Sequence, residues 1–351
     1  MAFGAHGIGL KIMDESPPVV SVCVANYNGM AYIDACLRSV LEQDVSFSIE
    51  IIVHDDASTD GSVAHIRTHY PQVVVIESSA NVGFCVANNR MAEKAKGQYL
   101  LLLNNDAELF SDAIGILFQE AQSCAQPSVL GLPQYDATTG MLIDRGSLFD
   151  PFLNPFPNLD PQRSDVGMII GACFWIPRSL WISLGGFPEW FGSMAEDMYL
   201  SSLARLQGYP VRALTNSGFR HWVGASFGGG KVRGNKLVTS AKRRALSERN
   251  KTYVMALTYP PPLLYAILPL HFTLLMFEGV LLALIKMETK ILKDIYLNCF
   301  IQLWRERARL RQLRRQIQTG RAIGIRDFLK THTLIPHKLR MLIRHGMPKV
   351  T

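Results

Sequence analysis

The stretch VVSVCVANYNG, residues 19–29, is an apolar and largely β-branched run that ends in asparagine and glycine. Such a run predicts a buried strand followed by a loop. Similar runs return in IEIIVHDDASTDGS (residues 49–62), VVVIES (73–78) and YLLLLNNDAEL (99–109). Because these strands are apolar along most of their length and do not alternate, both of their faces are expected to be covered.

A helix is predicted after each of the four strands. Apolar residues recur at helical spacing in residues 31–42, and further helices are expected over 65–70, up to residue 94, and over 111–123. Repeated strand–loop–helix units predict an α/β fold with a parallel sheet covered by helices. Ligands of such sheets bind at the carboxyl ends of the strands, where this sequence has the polar segments NYNG, HDDAST and NND.

The chain is less regular after the fourth unit. Residues 129–161 are rich in Pro, Gly, Asn and Asp and are predicted to be irregular loop. A strand and a short helix are expected within residues 167–187, an amphipathic helix over 196–208 and a short strand over 211–214. Residues 224–236 contain three consecutive glycines and several cations, which suggests a flexible lid.

Composition excludes several classes of protein. The chain has 351 residues, 48% of them hydrophobic and 19% charged, so it can bury a substantial core and is not disordered. Its formal charge of +7 is uneven, since residues 301–351 carry 13 Lys and Arg against only two Asp and Glu. A basic tail on a mildly acidic remainder excludes a uniformly basic nucleic-acid binder. The six cysteines form no CxxC pair, which excludes a zinc ribbon and a dense disulfide framework.

The last hundred residues have a different character. Residues 263–285 form an apolar stretch long enough to span a bilayer, but Pro269, His271 and Glu278 interrupt it. Residues 287–318 then follow an amphipathic pattern with arginines between the apolar positions. We expect attachment to an anionic cytoplasmic leaflet, in the membrane plane or as a re-entrant segment. An oligomerisation or packing helix is the alternative interpretation.

Two adjacent carboxylates, Asp55 and Asp56, end the second predicted strand. In this position they can accept hydrogen bonds from a nucleobase imide and from ribose hydroxyls. The alternative is an Asx turn, with Ser58 or Asp60 capping the next helix. The motif alone does not decide between a binding site and a turn.

Asp106, in the NND segment, follows a strand of four leucines. A carboxylate beside an apolar core suits a hard cation such as Mg²⁺ or Mn²⁺, which completes its coordination shell with substrate phosphates. An ordinary turn with a helix cap is the alternative. His221 follows a short predicted strand, and a lone histidine is more often structural than a ligand.

Glu196 and Asp197 begin the predicted amphipathic helix. A carboxylate there can act as a general base on an acceptor hydroxyl. It can also serve only to compensate the helix dipole, since acidic residues are favoured in the first turn.

The combination and order of these motifs resemble the family 2 nucleotide-sugar glycosyltransferases of the GT-A fold, especially the bacterial rhamnosyltransferase-like branch. The resemblance covers about residues 19–222. VSVCVANYNG resembles the family's opening strand and nucleobase loop, HDDASTDGS its nucleotide-binding turn, and NVGFCVANN the segment that follows. LLLLNNDAEL takes the place of the DxD-type metal motif, and AEDMYLSSLARLQGY resembles the acceptor helix.

The resemblance implies roles for individual residues. Asp106 and His221 would hold Mg²⁺ or Mn²⁺, and Asp197 would be the catalytic base, with Glu196 beside it. The nucleotide sugar would be bound by residues of the strand ends and their loops: Ala25, Tyr27, Asn28, Asp55, Asp56, Ser58, Asn81, Gly83, Asn88, Asn104, Asn105 and Asp106.

The sequence departs from the family pattern at two places. Asn104 occupies the first DxD position, which leaves only one strong carboxylate for a metal. The acceptor helix has Tyr199 and Leu200 where related sequences carry a further aspartate, so details of the acceptor do not transfer.

The predicted architecture is an α/β GT-A (Rossmann-like) fold, a mostly parallel sheet flanked by helices, with a C-terminal helical membrane-associated extension. We expect a leader over residues 1–18, a catalytic domain over 19–240 and a helical membrane-associating region over 241–351. Within the catalytic domain, the nucleotide-sugar half would be 19–125 and the acceptor half 126–240.

The predicted function is that of an inverting glycosyltransferase of cell-surface polysaccharide synthesis, at the cytoplasmic face of the bacterial inner membrane. It would move a sugar from a nucleotide diphospho-sugar, with dTDP-rhamnose favoured by the branch, to a glycan or lipid-linked glycan; no nucleic-acid partner is expected. One alternative is a sugar-phosphate nucleotidyltransferase, but NYNGMAY lacks the Gly-rich basic loop of such enzymes. The other is a non-catalytic membrane-attached binding protein, which would be expected to lack Asp197.

Overall fold

The structure is a computed structural model that describes residues 17–222, 229–233, 236–333, 336–338, 341, 343 and 349–350. The predicted leader falls on residues 1–18, of which 1–16 lie outside the described residues. Of the predicted lid, residues 224–228 and 234–235 also lie outside them, while 229–233 form a strand.

The sixteen strands of the described chain are short except for three near its beginning, the first, second and fourth, which have six or seven residues. The strands are β1 (Val20–Asn26), β2 (Ile49–Asp55), β3 (Val74–Glu77), β4 (Tyr99–Asn104), β5 (Ala107–Leu109), β6 (Val129–Gly131), β7 (Gln134–Asp136), β8 (Leu142–Asp144), β9 (Ser147–Phe149), β10 (Pro155–Pro157), β11 (Cys173–Pro177), β12 (Val211–Ala213), β13 (Phe219–His221), β14 (Gly229–Arg233), β15 (Lys236–Thr239) and β16 (Lys349–Val350).

The helices follow the strands in the first half of the chain and dominate its second half. They are α1 (Ile33–Leu41), α2 (Ser62–His69), α3 (Phe84–Lys94), α4 (Ala113–Ser123), α5 (Arg178–Leu184), α6 (Glu196–Leu206), α7 (Ala241–Thr258), α8 (Pro261–Lys286), α9 (Thr289–Ile291), α10 (Asn298–Arg305), α11 (Arg307–Thr319) and α12 (Ile325–Leu329), with a 3-10 turn at Glu189–Phe191 and a π-helical segment at Leu292–Leu297.

The central sheet has seven strands in the order β12-β6-β11-β4-β1-β2-β3. Strand β1 pairs in parallel with β2 and β4, and β3 extends the sheet in parallel beyond β2. Only β11 runs antiparallel, between β4 and β6. The predicted α/β architecture with a mostly parallel sheet is therefore confirmed.

Both faces of this sheet are buried, as the apolar strands predict. Val22 and Val24 of β1 belong to one hydrophobic cluster and Cys23 to the other, because successive side chains of a strand point to opposite faces. Leu101 and Leu102 of β4 divide between the two clusters in the same way.

The prediction of irregular loop over residues 129–161 is wrong. This segment contains strands β6 to β10; β6 joins the central sheet, and β7 and β8 form a smaller sheet with β5 and β13. Each strand has only three residues, so turn-forming Pro, Gly, Asn and Asp dominate the composition between them. Strand β6 pairs with β12 and β7 pairs with β13, both far along the chain, and no local sequence pattern predicts such pairings.

Helix α7 joins the sheet to the C-terminal helices. It packs against α6 on one side and α11 on the other. Its residues Tyr253, Val254 and Met255 belong to the same hydrophobic cluster as Leu102 and Phe174 of the sheet. One continuous core therefore connects the sheet to the helices that follow residue 240.

Helix α8 is covered by protein along one stripe. Among the described residues it is the one helix long and apolar enough to cross a membrane, yet only 28% of its most apolar window is buried. The buried side chains recur every three to seven residues over its whole length, at Leu264, His271, Leu275, Gly279 and Leu282. Large apolar residues outside the stripe are exposed, including Tyr265, Phe277, Leu284 and Ile285.

The packing of α8 can be tested at Gly279. A Cβ atom added there would lie 2.7 Å from Cγ of Tyr296, whose ring is fully buried and cannot move aside. Gly279→Ala is expected to lower the free energy of unfolding by about 1–3 kcal/mol through overpacking, despite the better helix propensity of alanine.

Gly115 in α4 provides the matched control. A Cβ atom there would meet its nearest neighbours at an ordinary 3.7 Å. Gly115→Ala is therefore expected to raise the free energy of unfolding by about 0.5–1 kcal/mol. Chemical denaturation of the two variants measures both effects, and equal stabilisation by both would contradict the contact between α8 and Tyr296.

Candidate active site

A cavity of about 1510 Å³ opens at the carboxyl ends of β1, β2 and β4 and continues beside α6, α7 and α8. Eight of the twelve residues predicted to bind the nucleotide sugar line it, together with the predicted metal and base residues. They are Ala25, Tyr27, Asp56, Asn81, Gly83, Asn104, Asn105, Asp106, Glu196, Asp197 and His221. The carboxyl ends of the parallel strands thus bring together polar segments that lie up to about two hundred residues apart in the sequence.

Four of the predicted nucleotide-binding residues are not on the cavity wall. Asn28 accepts from the backbone N–H of Thr59, and its own N–H donates to Oγ of Ser58, so these residues tie the first two loops together. Asp55 accepts from the Nδ2 amide of Asn26 at 2.8 Å. Asn88 donates to the carbonyl of Phe84 within α3.

Asp56 has a different position from its neighbour Asp55. It lines the cavity, and its two carboxylate oxygens accept from the backbone N–H groups of Val82 (2.6 Å) and Gly83 (2.9 Å). The carboxylate therefore fixes the loop after β3 against the end of β2. Gly83 has φ +89°, a left-handed conformation that glycine adopts without strain.

Asp106 and His221 meet at the base of the cavity although 115 residues separate them. Strands β5 and β13 pair antiparallel, with His221 opposite Ala107, and this register brings Nε2 of the histidine to 3.1 Å from Oδ1 of the aspartate. Both side chains are buried. The structure thus brings together the two residues predicted as metal ligands.

Sequence analysis did not identify Gln134, which lies beside His221. Its side-chain amide lies 2.7 Å from Nδ1 of the imidazole and is buried beside it, on strand β7. A primary amide presents NH₂ or C=O after rotation by 180°, so Gln134 can accept a hydrogen bond from Nδ1–H, which leaves Nε2 without a proton and able to bind a metal beside Asp106. A histidine that binds a metal through Nε2 needs such a partner at its other nitrogen.

The residues around Asp106 fit a hard divalent cation. No group of three or more His, Cys, Asp or Glu side chains suited to a metal occurs in the described part of the chain. Mg²⁺ and Mn²⁺ do not need one, since they commonly use one or two protein ligands and take the rest from phosphates and water. Asp106 and His221 offer one carboxylate and one imidazole beside an open cavity.

Glu196 and Asp197 form the first turn of α6 and both line the cavity. Asp197 is anchored, because Oδ2 accepts from the backbone N–H of Gly171 at 3.0 Å and Oδ1 from that of Met198 at 2.7 Å. Oε2 of Glu196 is buried and has no hydrogen-bond partner among the described residues.

The turn before α6 is strained and is held by Asn250. Met194 (φ 74°) and Ala195 (φ 65°) adopt left-handed backbone conformations that non-glycine residues rarely use. The fully buried Nδ2 group of Asn250 in α7 donates to the carbonyl oxygens of Phe191, Ser193 and Met194. Sequence reasoning missed this residue, although an asparagine in the middle of a helix often has such a task.

The two carboxylates have different acidities. Burial, together with the charge of Asp197, raises the pKa of Glu196 to about 8. Burial also raises the pKa of Asp197, but hydrogen bonds from the backbone of Gly171 and Met198 oppose the shift. Since only Asp197 receives strong donors, it is the group of the pair that is ionised first as pH rises.

Comparison with known proteins identifies the fold around this cavity. Residues 21–184 match the family model described as Glycosyl transferase family 2. The match covers 164 of the 351 residues, so slightly less than half of the chain is similar to this family. Chondroitin synthase of Escherichia coli is 29% identical over 188 residues, which are 52% of this chain and 26% of that protein. The chain spans less than half the length of the curated relatives it matches.

Solved structures confirm the predicted GT-A fold. TarS of S. aureus (residues 1–349), in complex with UDP-GlcNAc, aligns with a TM-score of 0.55 at 17% identity, over 88% of this chain and 89% of that chain. GalNAc-T7 with UDP, GalNAc and Mn²⁺ aligns with a TM-score of 0.54 at 18% identity, over 70% of this chain and 48% of that chain. The matched family is the one that the sequence motifs resemble.

The raised pKa of Glu196 predicts that the stability of the fold depends on pH. A buried carboxyl whose pKa rises from 4.5 to about 8 on folding stabilises the fold below pH 4.5, and this contribution is lost as pH rises towards 8. Glu196→Gln removes the ionisable group. At pH 8 the variant is expected to exceed the parent in free energy of unfolding by about 2–4 kcal/mol, and at pH 5 by much less.

Urea unfolding at several pH values between 5 and 8 measures this difference. Parallel stability curves for the parent and Glu196→Gln would show that Glu196 is ionised in the folded protein and would contradict its burial.

The orienting role of Gln134 is testable without an activity assay. Gln134→Leu removes the partner of Nδ1 and is expected to weaken Mn²⁺ binding about tenfold in the presence of UDP. Gln134→Glu keeps an acceptor for the Nδ1–H proton and should retain the affinity of the parent. Electron paramagnetic resonance of free Mn²⁺ gives the dissociation constants. An unchanged dissociation constant for Gln134→Leu would show that Gln134 does not support the metal site.

Proposed function

We propose that this chain is an inverting glycosyltransferase that transfers a sugar from a nucleotide diphospho-sugar to a hydroxyl group of a glycan or lipid-linked glycan. One observation carries the proposal: a single cavity is lined by Asp56, by the Asp106–His221 pair and by the anchored carboxylate Asp197. Donor-binding, metal-binding and base groups are the three components that direct displacement at a sugar carbon requires, and no enzyme nucleophile is needed.

The donor half of the cavity is at the strand ends. We assign the nucleotide and its sugar to the wall formed by Ala25, Tyr27, Asp56, Asn81 and Gly83, which lie on three neighbouring loops. TarS and GalNAc-T7 have been crystallised with uridine nucleotides, which supports a nucleotide sugar as donor. Asn28, Asp55, Ser58 and Asn88 would then support these loops from behind the wall.

The rhamnosyltransferase-like branch of the resemblance favours dTDP-rhamnose as the donor. A screen of intact nucleotide sugars, followed by release of the nucleotide diphosphate, tests this choice directly. Faster turnover with a UDP-sugar or a GDP-sugar than with dTDP-rhamnose would reject it. Release of pyrophosphate from a sugar phosphate and a nucleoside triphosphate would instead identify a nucleotidyltransferase. Absence of turnover with every donor would identify a non-catalytic binding protein.

Asp106 and His221 would hold Mg²⁺ or Mn²⁺ together with diphosphate oxygens of the donor. GalNAc-T7 was crystallised with Mn²⁺, which supports this assignment. The cation supplies a Lewis acid that neutralises charge on the leaving nucleotide diphosphate. Asn104 and Asn105 lie beside Asp106 on the wall and contribute neutral oxygen ligands or hydrogen bonds rather than charge.

Asp197 is the proposed general base. Each of its oxygens accepts one backbone hydrogen bond, which leaves a lone pair on each for the proton of the attacking hydroxyl. Glu196 remains mostly protonated at neutral pH because its pKa is about 8, so it cannot accept that proton.

Two isosteric variants distinguish the carboxylates. Asp197→Asn keeps the shape of the side chain but cannot take up a proton, so we expect glycosyl transfer to fall about 10²–10⁴-fold. Binding of the nucleotide diphosphate should change little, because its contacts lie at the strand ends. Glu196→Gln should lose less, since adjacent helical residues point about 100° apart and cannot both face one hydroxyl.

Initial rates of sugar transfer with the variants, at saturating donor, give the comparison. If Glu196→Gln were inactive and Asp197→Asn fully active, the general base would be Glu196 instead of Asp197. Full activity of both would leave the pair with a structural role only.

We further propose that α8 attaches the enzyme to the cytoplasmic face of the bacterial inner membrane by lying in the membrane plane. A helix that spans a bilayer as a single segment is surrounded by lipid, whereas α8 is covered by protein along one stripe from Leu264 to Leu282. Its other side exposes Phe277, Leu284 and Ile285. Exposed cations follow at once, with Lys286 and Lys290, and suit an anionic leaflet.

Vesicle flotation tests the attachment. The parent should float with vesicles that contain phosphatidylglycerol at low salt. Replacing Lys286 and Lys290 by glutamine should weaken that binding about tenfold or more, because each cation near the surface contributes about 1 kcal/mol. Binding to neutral phosphatidylcholine vesicles is the control and should not change. A parent protein that stays unbound in both would reject membrane attachment.

A further inference from the structure

The cavity is larger than a nucleotide sugar needs. Pockets for small molecules typically measure about 300–1,000 Å³, whereas this one measures about 1510 Å³. Part of its wall comes from α7, α8 and residues 336–338, none of which contributes to the central sheet. The cavity therefore has a second compartment, which extends from Asp197 towards α8.

The far wall of the second compartment is apolar. Phe152 and Met168 are buried on one side of it. Leu274, Phe277 and Leu281 of α8 form the other side, and Phe277 is 65% exposed. The compartment therefore opens along the same apolar side of α8 that is proposed to meet the membrane.

Cations lie between this apolar wall and Asp197. Lys242 and Arg243 in the first turn of α7 line the cavity and form no ion pair with any described residue. Arg243 is close enough to Glu196 and Asp197 for its charge to act on both.

Deeper in the compartment, positive charge also exceeds negative charge. Glu248 and Glu278 are matched by Arg244, Lys251 and Lys338 in a network of ion pairs, among them Lys338–Glu248 at 2.5 Å and Lys338–Glu278 at 2.7 Å. Three cations against two carboxylates leave a net positive charge beside a wall of hydrocarbon.

We propose that the second compartment binds the lipid-phosphate portion of the acceptor: an anionic phosphate or diphosphate beside Lys242 and Arg243, and a long hydrocarbon chain along Leu274, Phe277 and Leu281. The proposal rests on the glycosyltransferase function argued above and selects a lipid-linked acceptor rather than a free glycan. A chain lying in the bilayer enters this groove from the membrane side without crossing water, while its head group reaches Asp197.

Binding of simple alkyl phosphates tests the proposal without knowledge of the glycan. The full chain is saturated with Mn²⁺ and with UDP or dTDP, whichever it binds, so that only the second compartment is open. Dissociation constants are then measured calorimetrically for octyl phosphate, butyl phosphate, octanol and inorganic phosphate below any micelle concentration. Octyl phosphate should bind at least about tenfold more tightly than each of the others, because each buried methylene and the phosphate both contribute.

Phe277 and Leu284 provide a matched pair of variants. Both are 65% exposed and lie two helical turns apart on the same side of α8, but only Phe277 lines the cavity. Phe277→Asp should weaken octyl phosphate binding about tenfold or more, since it places a carboxylate on the hydrocarbon wall. Leu284→Asp, which changes the membrane-facing surface in the same way, should stay within about twofold of the parent.

The outcomes separate this proposal from the function on which it rests. Inorganic phosphate that binds as well as octyl phosphate would make Lys242 and Arg243 a general anion site and would overturn the lipid proposal. Equal effects of the two α8 variants would overturn it as well, because the chain would then contact only the surface of α8. Failure of both UDP and dTDP to bind with Mn²⁺ would instead contradict the glycosyltransferase assignment, and the alkyl phosphate series would still report on the compartment.

Discussion

The side-chain amide of Asn250 holds together the part of the molecule on which the site depends. It donates to three carbonyl oxygens of the turn before α6, and Arg249 donates to one of them, that of Phe191, as well. That turn contains two consecutive non-glycine residues with positive φ, a conformation that persists only when the surroundings enforce it. Since the turn sets where α6 begins, α7 determines the position of both carboxylates although it contributes neither.

Burial then gives the two carboxylates unequal chemistry. They are adjacent in sequence and occupy the same helical turn, so the helix dipole and the protein interior act on both. The difference comes from the backbone N–H groups of Gly171 and Met198, which donate to Asp197, whereas Oε2 of Glu196 has no hydrogen-bond partner among the described residues. A pair of this kind ionises in two separate steps as pH rises, which limits the electrostatic cost of placing two acids side by side.

The sequence predicted the first half of the fold well because its signals are local. Strands β1, β2 and β4 are long apolar runs that need both faces covered, and each is followed directly by turn residues. Asp106 and His221 were paired by resemblance to a family, not by any local pattern. What brings them together is the register of β5 against β13, which depends on residues more than a hundred positions apart.

Gln134 and Asn250 could not be predicted, for two different physical reasons. Gln134 lies on a three-residue strand between turn-forming residues, where composition indicates a loop and gives no hint of a buried partner for an imidazole. Asn250 lies in a polar stretch of α7 that reads as a solvated helix surface, yet Asn250, Lys251 and Thr252 are all buried. Polar residues buried by contact with other polar groups are indistinguishable in sequence from exposed ones.

The polar residues of helix α8 face the protein and large apolar residues face outward, which explains why His271 and Glu278 interrupt its apolar sequence. His271 and Glu278, which count against a membrane span, both have partners within the protein: the hydroxyl of Thr252 lies 2.9 Å from the imidazole, and Arg244 and Lys338 pair with the carboxylate. The strongly apolar residues lie on the outer side instead. A helix that separates water from a core has its polar side outward, whereas a helix between a polar protein surface and hydrocarbon needs the opposite arrangement. His271 and Glu278 therefore dock α8 to α7 and Lys338 together with the buried Leu264, Leu275 and Leu282, and the apolar residues of the outer side remain exposed.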